Sequence, residues 1–123
     1  MEMEILKLEG DTKNPTVDFN PNGNLLIEGR AIPEKPDELF KPIYEWIMSA
    51  TLENVEFTIR MEYFNTTVSK HLAMMFQKML ENENIGNIRV SWFYEEGDDD
   101  CYDSGIMYKD KFKEIEFEFF VFQ

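Results

Sequence analysis

Residues 55–70 read VEFTIRMEYFNTTVSK, and the hydrophobic period changes part-way along this stretch. The first nine residues alternate apolar and polar side chains, which is the pattern of a half-buried β-strand. From Val68 onward the apolar residues recur every three or four positions, which is typical of an α-helix. The stretch therefore predicts a strand that ends, and a helix that begins, at Asn65 to Thr67.

The hydroxyl and amide side chains at this junction have two interpretations. Asn and Thr are favoured at helix starts, because their side-chain oxygens accept hydrogen bonds from backbone N–H groups that have no partner inside the helix. The same N–H groups and the positive end of the helix dipole also suit a phosphate. Asn65-Thr66-Thr67 is therefore either a helix cap alone or a cap that displays a phosphorylatable hydroxyl.

The N-terminal third of the chain predicts an antiparallel hairpin. Apolar runs at residues 15–19 and 25–29 flank a turn that contains Asn22-Gly23, a strong hairpin signal because both residues tolerate positive φ. A short edge strand is expected within residues 4–8.

A first helix is expected after Pro36, with Asp37 as its cap and an apolar stripe from Leu39 to Met48. Pro42 is tolerated only in a first turn, so this helix either begins near Lys41 or is kinked.

After the residue 55–64 strand we expect a helix over residues 66–82 and a second alternating strand over residues 88–94. An acidic turn at residues 95–100 then leads into a third helix, which runs from about residue 98 to 112 and is weakened by Gly105. A strand over residues 115–122 closes the chain.

These elements predict one α/β domain over residues 1–123. In the strand at 55–63, Val55, Phe57, Ile59, Met61 and Tyr63 share one face and the polar residues share the other, so helices should cover one face only. The expected fold is a two-layer sandwich whose mixed sheet combines the N-terminal antiparallel hairpin with a βαβαβ unit. The loops after the two parallel strands should be neighbours.

Composition excludes several classes of function. The formal net charge of −13 opposes binding to nucleic acid and to anionic membrane surfaces. No apolar run is long enough to span a membrane, and the N-terminal residues do not resemble a signal peptide. We therefore expect a cytoplasmic protein that is not inserted in a membrane.

Little in the sequence indicates catalysis. Cys101 is the only cysteine and lies beside acidic residues that raise a thiol pKa, and His71, the only histidine, is expected at the surface. There is no Gly-rich phosphate loop and no metalloprotease or hydrolase motif, so we expect neither enzymatic activity nor a cofactor. Two alternatives stay open. The acidic residues 95–100 could bind a divalent metal ion, alone or as part of a metal-dependent enzyme. The chain could also be a purely structural interaction domain that no modification switches.

The junction also resembles a known family. Residues 62–70, EYFNTTVSK, are similar to the E-Y-F-N-T-S-S-S-K signature of the SiaC family of bacterial regulatory phosphoproteins. The sequence departs from this signature at Thr67-Val68, which replaces Ser-Ser, and Ile32-Pro33-Glu34-Lys35 replaces a Tyr-Pro-Glu-Asn version. Further pieces follow in the family order: Pro15, Val17, Phe19 and Pro21; Gly29 with Pro33-Glu34; Phe40, Pro42 and Trp46; Trp92, Tyr94 and Glu95; and Asp98-Asp99-Asp100 with Gly105.

This resemblance implies a STAS-like fold, similar to anti-sigma-factor antagonists, and a switch operated by reversible phosphorylation of Thr66. It also implies three partners: a dedicated protein kinase, a PP2C-type phosphatase, and a diguanylate cyclase that the unmodified form binds and activates in cyclic-di-GMP and biofilm signalling. The residues expected to contact partners lie around the junction and the neighbouring acidic loop: Tyr63, Asn65, Thr66, Thr67, Ser69, Lys70, Tyr94, Glu95, Asp98 and Asp99.

Overall fold

The computed structural model describes residues 3–122, and these fold into six strands and three helices. In chain order the elements are β1 (Leu6–Leu8), β2 (Thr16–Phe19), β3 (Asn24–Ala31), α1 (Pro36–Ser49), β4 (Leu52–Phe64), α2 (Thr66–Glu81), β5 (Ile85–Tyr94), α3 (Asp99–Lys111) and β6 (Glu116–Val121).

The strands form one mixed sheet in the order β1-β2-β3-β4-β5-β6. β1, β2 and β3 pair antiparallel, which confirms the N-terminal hairpin and the short edge strand. β3, β4, β5 and β6 pair parallel, and a helix connects each consecutive pair. The parallel part therefore contains one more crossover than the predicted βαβαβ unit, because α1 joins the hairpin to β4 in the same way.

The hairpin turn depends on one glycine. The Gly23 N–H donates to the Asn20 carbonyl over 2.9 Å, and Gly23 adopts a φ of +101°. A Cβ atom there would lie 2.1 Å from the Asn54 carbonyl oxygen, so the turn packs directly on β4. Glycine is required at this position for both its backbone conformation and its size.

One core joins the sheet to all three helices. Alternate strand residues are buried, as in Val55, Phe57, Ile59 and Met61 of β4, while the residues between them are exposed or half-buried. Each helix adds buried side chains to the same cluster: Phe40, Ile43 and Ile47 from α1; Val68, Leu72, Met75, Phe76 and Met79 from α2; and Cys101 and Tyr108 from α3.

The expected start of α1 was wrong. The helix begins at Pro36, and Lys35 occupies the N-cap position without a side-chain cap hydrogen bond. Asp37 lies inside the first turn, where a carboxylate still favours the positive end of the helix dipole. Pro42 lies inside the helix, so α1 continues through a position that lacks one backbone donor.

Tyr63 was assigned to the wrong face of β4. Gly29 pairs with Met61, whereas the next residue, Arg30, pairs with Tyr63, so Glu62 is an inserted residue in the ladder. A bulge of this kind reverses the alternation beyond it. Tyr63 is consequently 51% exposed, and the Arg30 guanidinium lies 5.6 Å from the centre of its ring.

Gly105 does not interrupt α3, which runs continuously through it. A Cβ atom on Gly105 would lie 2.6 Å from the Phe119 ring and 2.7 Å from Trp92 Cδ1. The glycine therefore lets α3 approach β5 and β6 closely. Helix propensity predicts only that Gly105 weakens the helix, so the sequence pattern does not indicate this packing role.

Candidate functional site

The predicted strand-to-helix junction lies where the sequence placed it. β4 ends at Phe64, Asn65 is the N-cap, and α2 begins at Thr66. The Asn65 side-chain oxygen accepts a hydrogen bond from the Val68 N–H over 2.9 Å. Asn65 therefore satisfies one of the backbone donors that a helix start leaves without an intrahelical partner.

Both threonines after the cap are exposed. Thr66 and Thr67 occupy the first two helical positions, so their own N–H groups have no intrahelical acceptor. The first turn of α2 contains no acidic residue, so no side chain of that turn offsets the positive end of the helix dipole. The local geometry can therefore accept an anionic group on the Thr66 hydroxyl.

Ser69 is less available than its neighbours. Its hydroxyl lies 2.7 Å from the Tyr108 hydroxyl, which also donates to the Ser69 carbonyl over 2.8 Å. Ser69 is half-buried and ties α2 to α3, whereas Lys70, the next residue, is exposed. The hydroxyls of this segment thus differ in accessibility: those of Thr66 and Thr67 face solvent, and that of Ser69 is engaged.

The acidic turn after β5 forms a second helix start. Gly97 adopts a φ of +90°, and the Asp98 side chain accepts a hydrogen bond from the Cys101 N–H over 3.1 Å. Asp98 is therefore the N-cap of α3, and Asp99 and Asp100 lie in the first turn. Carboxylates at these positions stabilise the helix through its dipole.

The two helix starts border one cleft of about 340 Å³. This confirms that the loops after β4 and β5 are neighbours, as expected for the carboxyl ends of adjacent parallel strands. The lining residues are Met61, Glu62, Tyr63, Phe64, Asn65, Thr66, Ser69, Asp98, Asp100, Cys101 and Ser104.

The cleft includes five of the ten expected partner-contact residues: Tyr63, Asn65, Thr66, Ser69 and Asp98. The other five lie outside the lining: Thr67, Lys70, Tyr94, Glu95 and Asp99. Sequence reasoning missed Ser104 and Cys101, although Ser104 lies four positions after Asp100 and three after Cys101, which are the spacings of neighbours on a helix. It missed Glu62 because the bulge that brings this residue to the cleft is not visible in the alternation.

Cys101 is a buried group and not an exposed nucleophile. Its side chain is 6% exposed, and burial, reinforced by the nearby Asp98 carboxylate, raises the thiol pKa to about 11. Its carbonyl accepts a hydrogen bond from the buried Trp92 indole N–H over 3.0 Å. A thiol in this environment stays protonated at neutral pH.

The acidic loop does not converge on a metal site. Within residues 3–122, no three His, Cys, Asp or Glu side chains lie close enough together to hold a metal ion. The carboxylates of the loop serve as the α3 cap and its first turn instead, and this geometry gives the metal-dependent alternative no support.

His71 was expected at the surface and is instead mostly covered. Its side chain is 17% exposed, and its ring stacks on Phe40 with 4.3 Å between centroids. The Tyr44 hydroxyl is hydrogen-bonded to His71 Nδ1, and Asp37 Oδ1 lies 3.6 Å from Nε2. Burial lowers the His71 pKa, and the Asp37 carboxylate partly opposes this. These contacts join α1 to α2.

The sequence pattern of a known family matches residues 8–122, and the description of that family is "SiaC family regulatory phosphoprotein". The match spans nearly the whole chain. This protein belongs to the SiaC family. Membership confirms the resemblance of residues 62–70 and places the chain among regulatory phosphoproteins.

Solved structures of SiaC share the fold. SiaC of Pseudomonas aeruginosa matches with a TM-score of 0.79 and 17% identity, covering 98% of this chain and 100% of that chain. Its apo form matches with a TM-score of 0.73 and 18% identity over the same shares. The complex of the diguanylate cyclase SiaD with its activator SiaC, from the same organism, matches with a TM-score of 0.78 and 17% identity, covering 95% of this chain and 99% of that chain.

Two herpesvirus proteins show a more local similarity. The capsid assembly protein UL37 homolog and the inner tegument protein, from two strains of Human herpesvirus 6A, are each 28% identical over 82 residues. The alignments cover 57% of this chain but only 10% and 8% of those proteins, so they assign no function here.

No helix within residues 3–122 has both the length and the apolar character that a membrane-spanning segment requires.

Proposed function

We propose that this SiaC-family chain is a non-enzymatic regulator that is switched by reversible phosphorylation of Thr66. In the proposed cycle the unmodified form binds and activates a diguanylate cyclase, a protein kinase adds the phosphate, and a PP2C-type phosphatase removes it. One observation carries the proposal: an exposed Thr66 hydroxyl at the first position of α2, on the lining of the cleft that α2 shares with α3. The cyclase is proposed because a SiaC with the same fold forms a complex with SiaD.

The fold supports this role as a scaffold. We propose a two-layer, STAS-like arrangement with the three helices on one face of the sheet, in agreement with the alternation of buried and exposed residues along the strands. In this arrangement the cleft lies at the carboxyl ends of β4 and β5, where loops can vary without disturbing the core.

Phosphorylation at Thr66 has opposing effects within the chain. The phosphate carries about −1.5 to −2 charges, and a helix N-terminus stabilises a charge by about 0.3–1 kcal/mol. The carboxylates of Asp98 and Asp100, which line the same cleft, repel it. These opposing terms are each small in solvent, so the fold tolerates the modification.

The effect on a docked partner is much larger. A partner that covers Thr66 removes water from the phosphate. Because the interface forms with the uncharged hydroxyl, the partner has no positive group placed to neutralise the phosphate. Burying an uncompensated charge costs several kcal/mol, and about 1.4 kcal/mol changes affinity tenfold. A single phosphate on Thr66 is therefore sufficient to abolish micromolar binding, while the hydroxyl form binds.

The first test is chemical. The purified protein is incubated with its candidate kinase and Mg-ATP, and the phosphate is mapped by mass spectrometry. We expect modification at Thr66 and none in Thr66→Ala. Thr67→Ala is the matched control, because Thr67 is also an exposed threonine and lies one position along the same helix turn. This variant should be modified like the wild type. Phosphate on Thr67 or Ser69 in the wild type contradicts the assignment.

The second test measures binding to a SiaD-type diguanylate cyclase by calorimetry. Phosphorylation, or the Thr66→Asp substitution, should weaken binding by at least about 100-fold, equivalent to about 2.7 kcal/mol. Thr67→Asp places the same charge beside the site and should have a smaller effect, since Thr67 lies outside the cleft lining. If the Thr66→Asp variant binds as tightly as the wild type, Thr66 does not control this interface.

A further inference from the structure

β6 is an edge strand of the sheet. β6 pairs only with β5, and no other segment within residues 3–122 forms a ladder with its far side. The Phe122 N–H donates to the Tyr94 carbonyl over 2.8 Å, so the backbone groups of this residue point toward β5. Because successive residues of a parallel strand point to opposite sides, the N–H and C=O groups of Phe117, Phe119 and Val121 point outward.

This edge has few of the features that usually prevent strand addition, since its two charged residues, Glu116 and Glu118, both lie close to Arg89 of β5. The opposite edge strand, β1, has three residues and contains Lys7. β6 is twice as long and has no lysine or proline, and its second half is apolar. In the described part of the chain, four of the eight exposed large hydrophobic side chains lie on α3 or β6: Tyr102, Met107, Phe120 and Val121.

We propose that this edge is a dimer interface, in which β6 pairs antiparallel with β6 of a second copy about a two-fold axis at Phe119. In this register Phe119 lies opposite Phe119 of the second copy, and Phe117 lies opposite Val121. All three residues have outward backbone groups, so each pairing exchanges two N–H···O bonds. Their side chains lie on the core face, which joins two apolar surfaces across the axis.

The proposed register also places no two like charges opposite one another. On the outer face the register sets Glu118 opposite Phe120 and Glu116 opposite Phe122, so no glutamate lies directly across from another.

Helix α3 fits the same axis. α3 has 13 residues and β6 has six, so both are about 20 Å long. Gly105, the midpoint of α3, packs on Phe119, the residue on the axis, and also on Trp92 of β5. α3 therefore lies over the boundary between β5 and β6. Two strand spacings then separate α3 from its copy, about 10 Å, which is the packing distance of two helices.

The facing sides of the two helices have complementary charges. Tyr102 packs against Tyr94 of β5 and Phe119 of β6, whereas Asp100 and Ser104 line the cleft that α3 shares with α2. The Tyr102 side of α3 therefore faces away from α2, toward the β6 edge, and Asp99, Ile106 and Lys109 share that side at helical spacing. In an antiparallel helix pair centred on the axis, Asp99 of each copy lies within about 3 Å, measured along the helices, of the level of Lys109 of the other. The same offset of two residues separates Tyr102 from Ile106, so these residues are near neighbours across the axis. The acidic N-terminal turn of each helix thus meets the basic C-terminal turn of the other. This complementarity favours a second copy over an unrelated strand.

The net charge of −13 per chain opposes association in general. At physiological salt, however, the Debye length is about 8 Å, so charges far from the axis are largely screened while the facing pairs are not. The interface involves neither Thr66 nor the cleft lining, so it is independent of the phosphorylation proposal.

Sedimentation velocity over a range of concentrations tests the dimer. We expect the wild type to shift from the 14.7 kDa monomer to twice that mass as concentration rises. Val121→Pro removes an outward N–H without removing a bond to β5, and it should leave a folded monomer. Met74→Asp, at an exposed methionine on α2, is the control and should dimerise like the wild type. A wild type that stays monomeric at about 1 mM, where even weak specific dimers assemble, overturns the proposal.

A charge exchange tests the register without altering the strand. Asp99→Lys and Lys109→Asp each place like charges opposite one another, and each should weaken dimerisation by about tenfold. In the heterodimer that forms on mixing the two variants, one contact keeps the native pair of Asp99 and Lys109, and the other has the same pair with the two charges exchanged. Both contacts then join opposite charges, so the mixture should dimerise about as well as the wild type. If the variants dimerise as tightly as the wild type, or if mixing restores nothing, α3 is not at the interface and the proposed dimer is wrong.

Discussion

Replacing Gly105 with alanine is expected to destabilise the protein, although alanine is the better helix former. In an open helix position this substitution stabilises by about 1 kcal/mol. Here the new Cβ atom would lie 2.6 Å from Phe119 Cε2 and 2.7 Å from Trp92 Cδ1. Carbon atoms prefer separations of about 3.5–4.0 Å, so one of the rings or the helix has to move by about 1 Å.

Whether the steric cost of the new Cβ atom exceeds the gain in helix propensity depends on how rigidly the neighbouring side chains are held. Trp92 is fully buried, and its indole N–H is held by the Cys101 carbonyl at 3.0 Å. Displacing a packed core residue costs about 1–3 kcal/mol, and weakening a hydrogen bond costs about 0.5–1.5 kcal/mol. Subtracting the propensity gain leaves a net loss of about 1–3 kcal/mol in the free energy of unfolding.

Urea denaturation followed by Trp fluorescence measures this loss. With a slope of about 1–3 kcal/mol per molar, the midpoint of Gly105→Ala should fall by roughly 1 M. Met107→Ala, at an exposed position of the same helix, reports the effect of alanine without the contact and should stay within about 0.5 kcal/mol of the wild type. A Gly105→Ala protein as stable as the wild type would show that α3 does not pack this closely on β5 and β6.

Two further predictions concern titratable groups that the fold covers wholly or in part. Because burial lowers the pKa of His71 below its ordinary value of 6.5, the unfolded chain binds the proton first. The free energy of unfolding should therefore fall as pH drops through this region. In His71→Phe, which keeps an aromatic ring on Phe40, the decline between about pH 7.5 and 5.5 should be shallower; equal slopes would contradict the assignment. The Cys101 thiol, with its pKa raised to about 11 and its side chain buried, should react with Ellman's reagent at pH 8 only as the protein opens. Reaction of the folded protein at the rate of a free thiol would show that the α3 start is not packed as described.

Local sequence patterns predicted most of the elements that build the site. The change from alternation to helical spacing placed the start of α2 within Asn65 to Thr67 and predicted a cap there, because capping depends on residues only three positions apart. The structure begins α2 at Thr66 with Asn65 as the cap. The expected start of the third helix near Asp98 was also correct. The neighbouring positions of the two loops followed from topology, since the carboxyl ends of adjacent parallel strands meet at one edge.

Short periodicities and a nine-residue motif are sufficient to predict the order of the elements, the mixed sheet and the family. The exposure of Tyr63, the partial burial of His71 and the role of Gly105 follow only from tertiary contacts. Each of these depends on a residue distant in the chain: the pairing of β3 with β4 inserts Glu62, Phe40 covers His71, and Phe119 meets Gly105. Such contacts leave no periodic signal, because they depend on how the elements pack together and not on the residues within one element.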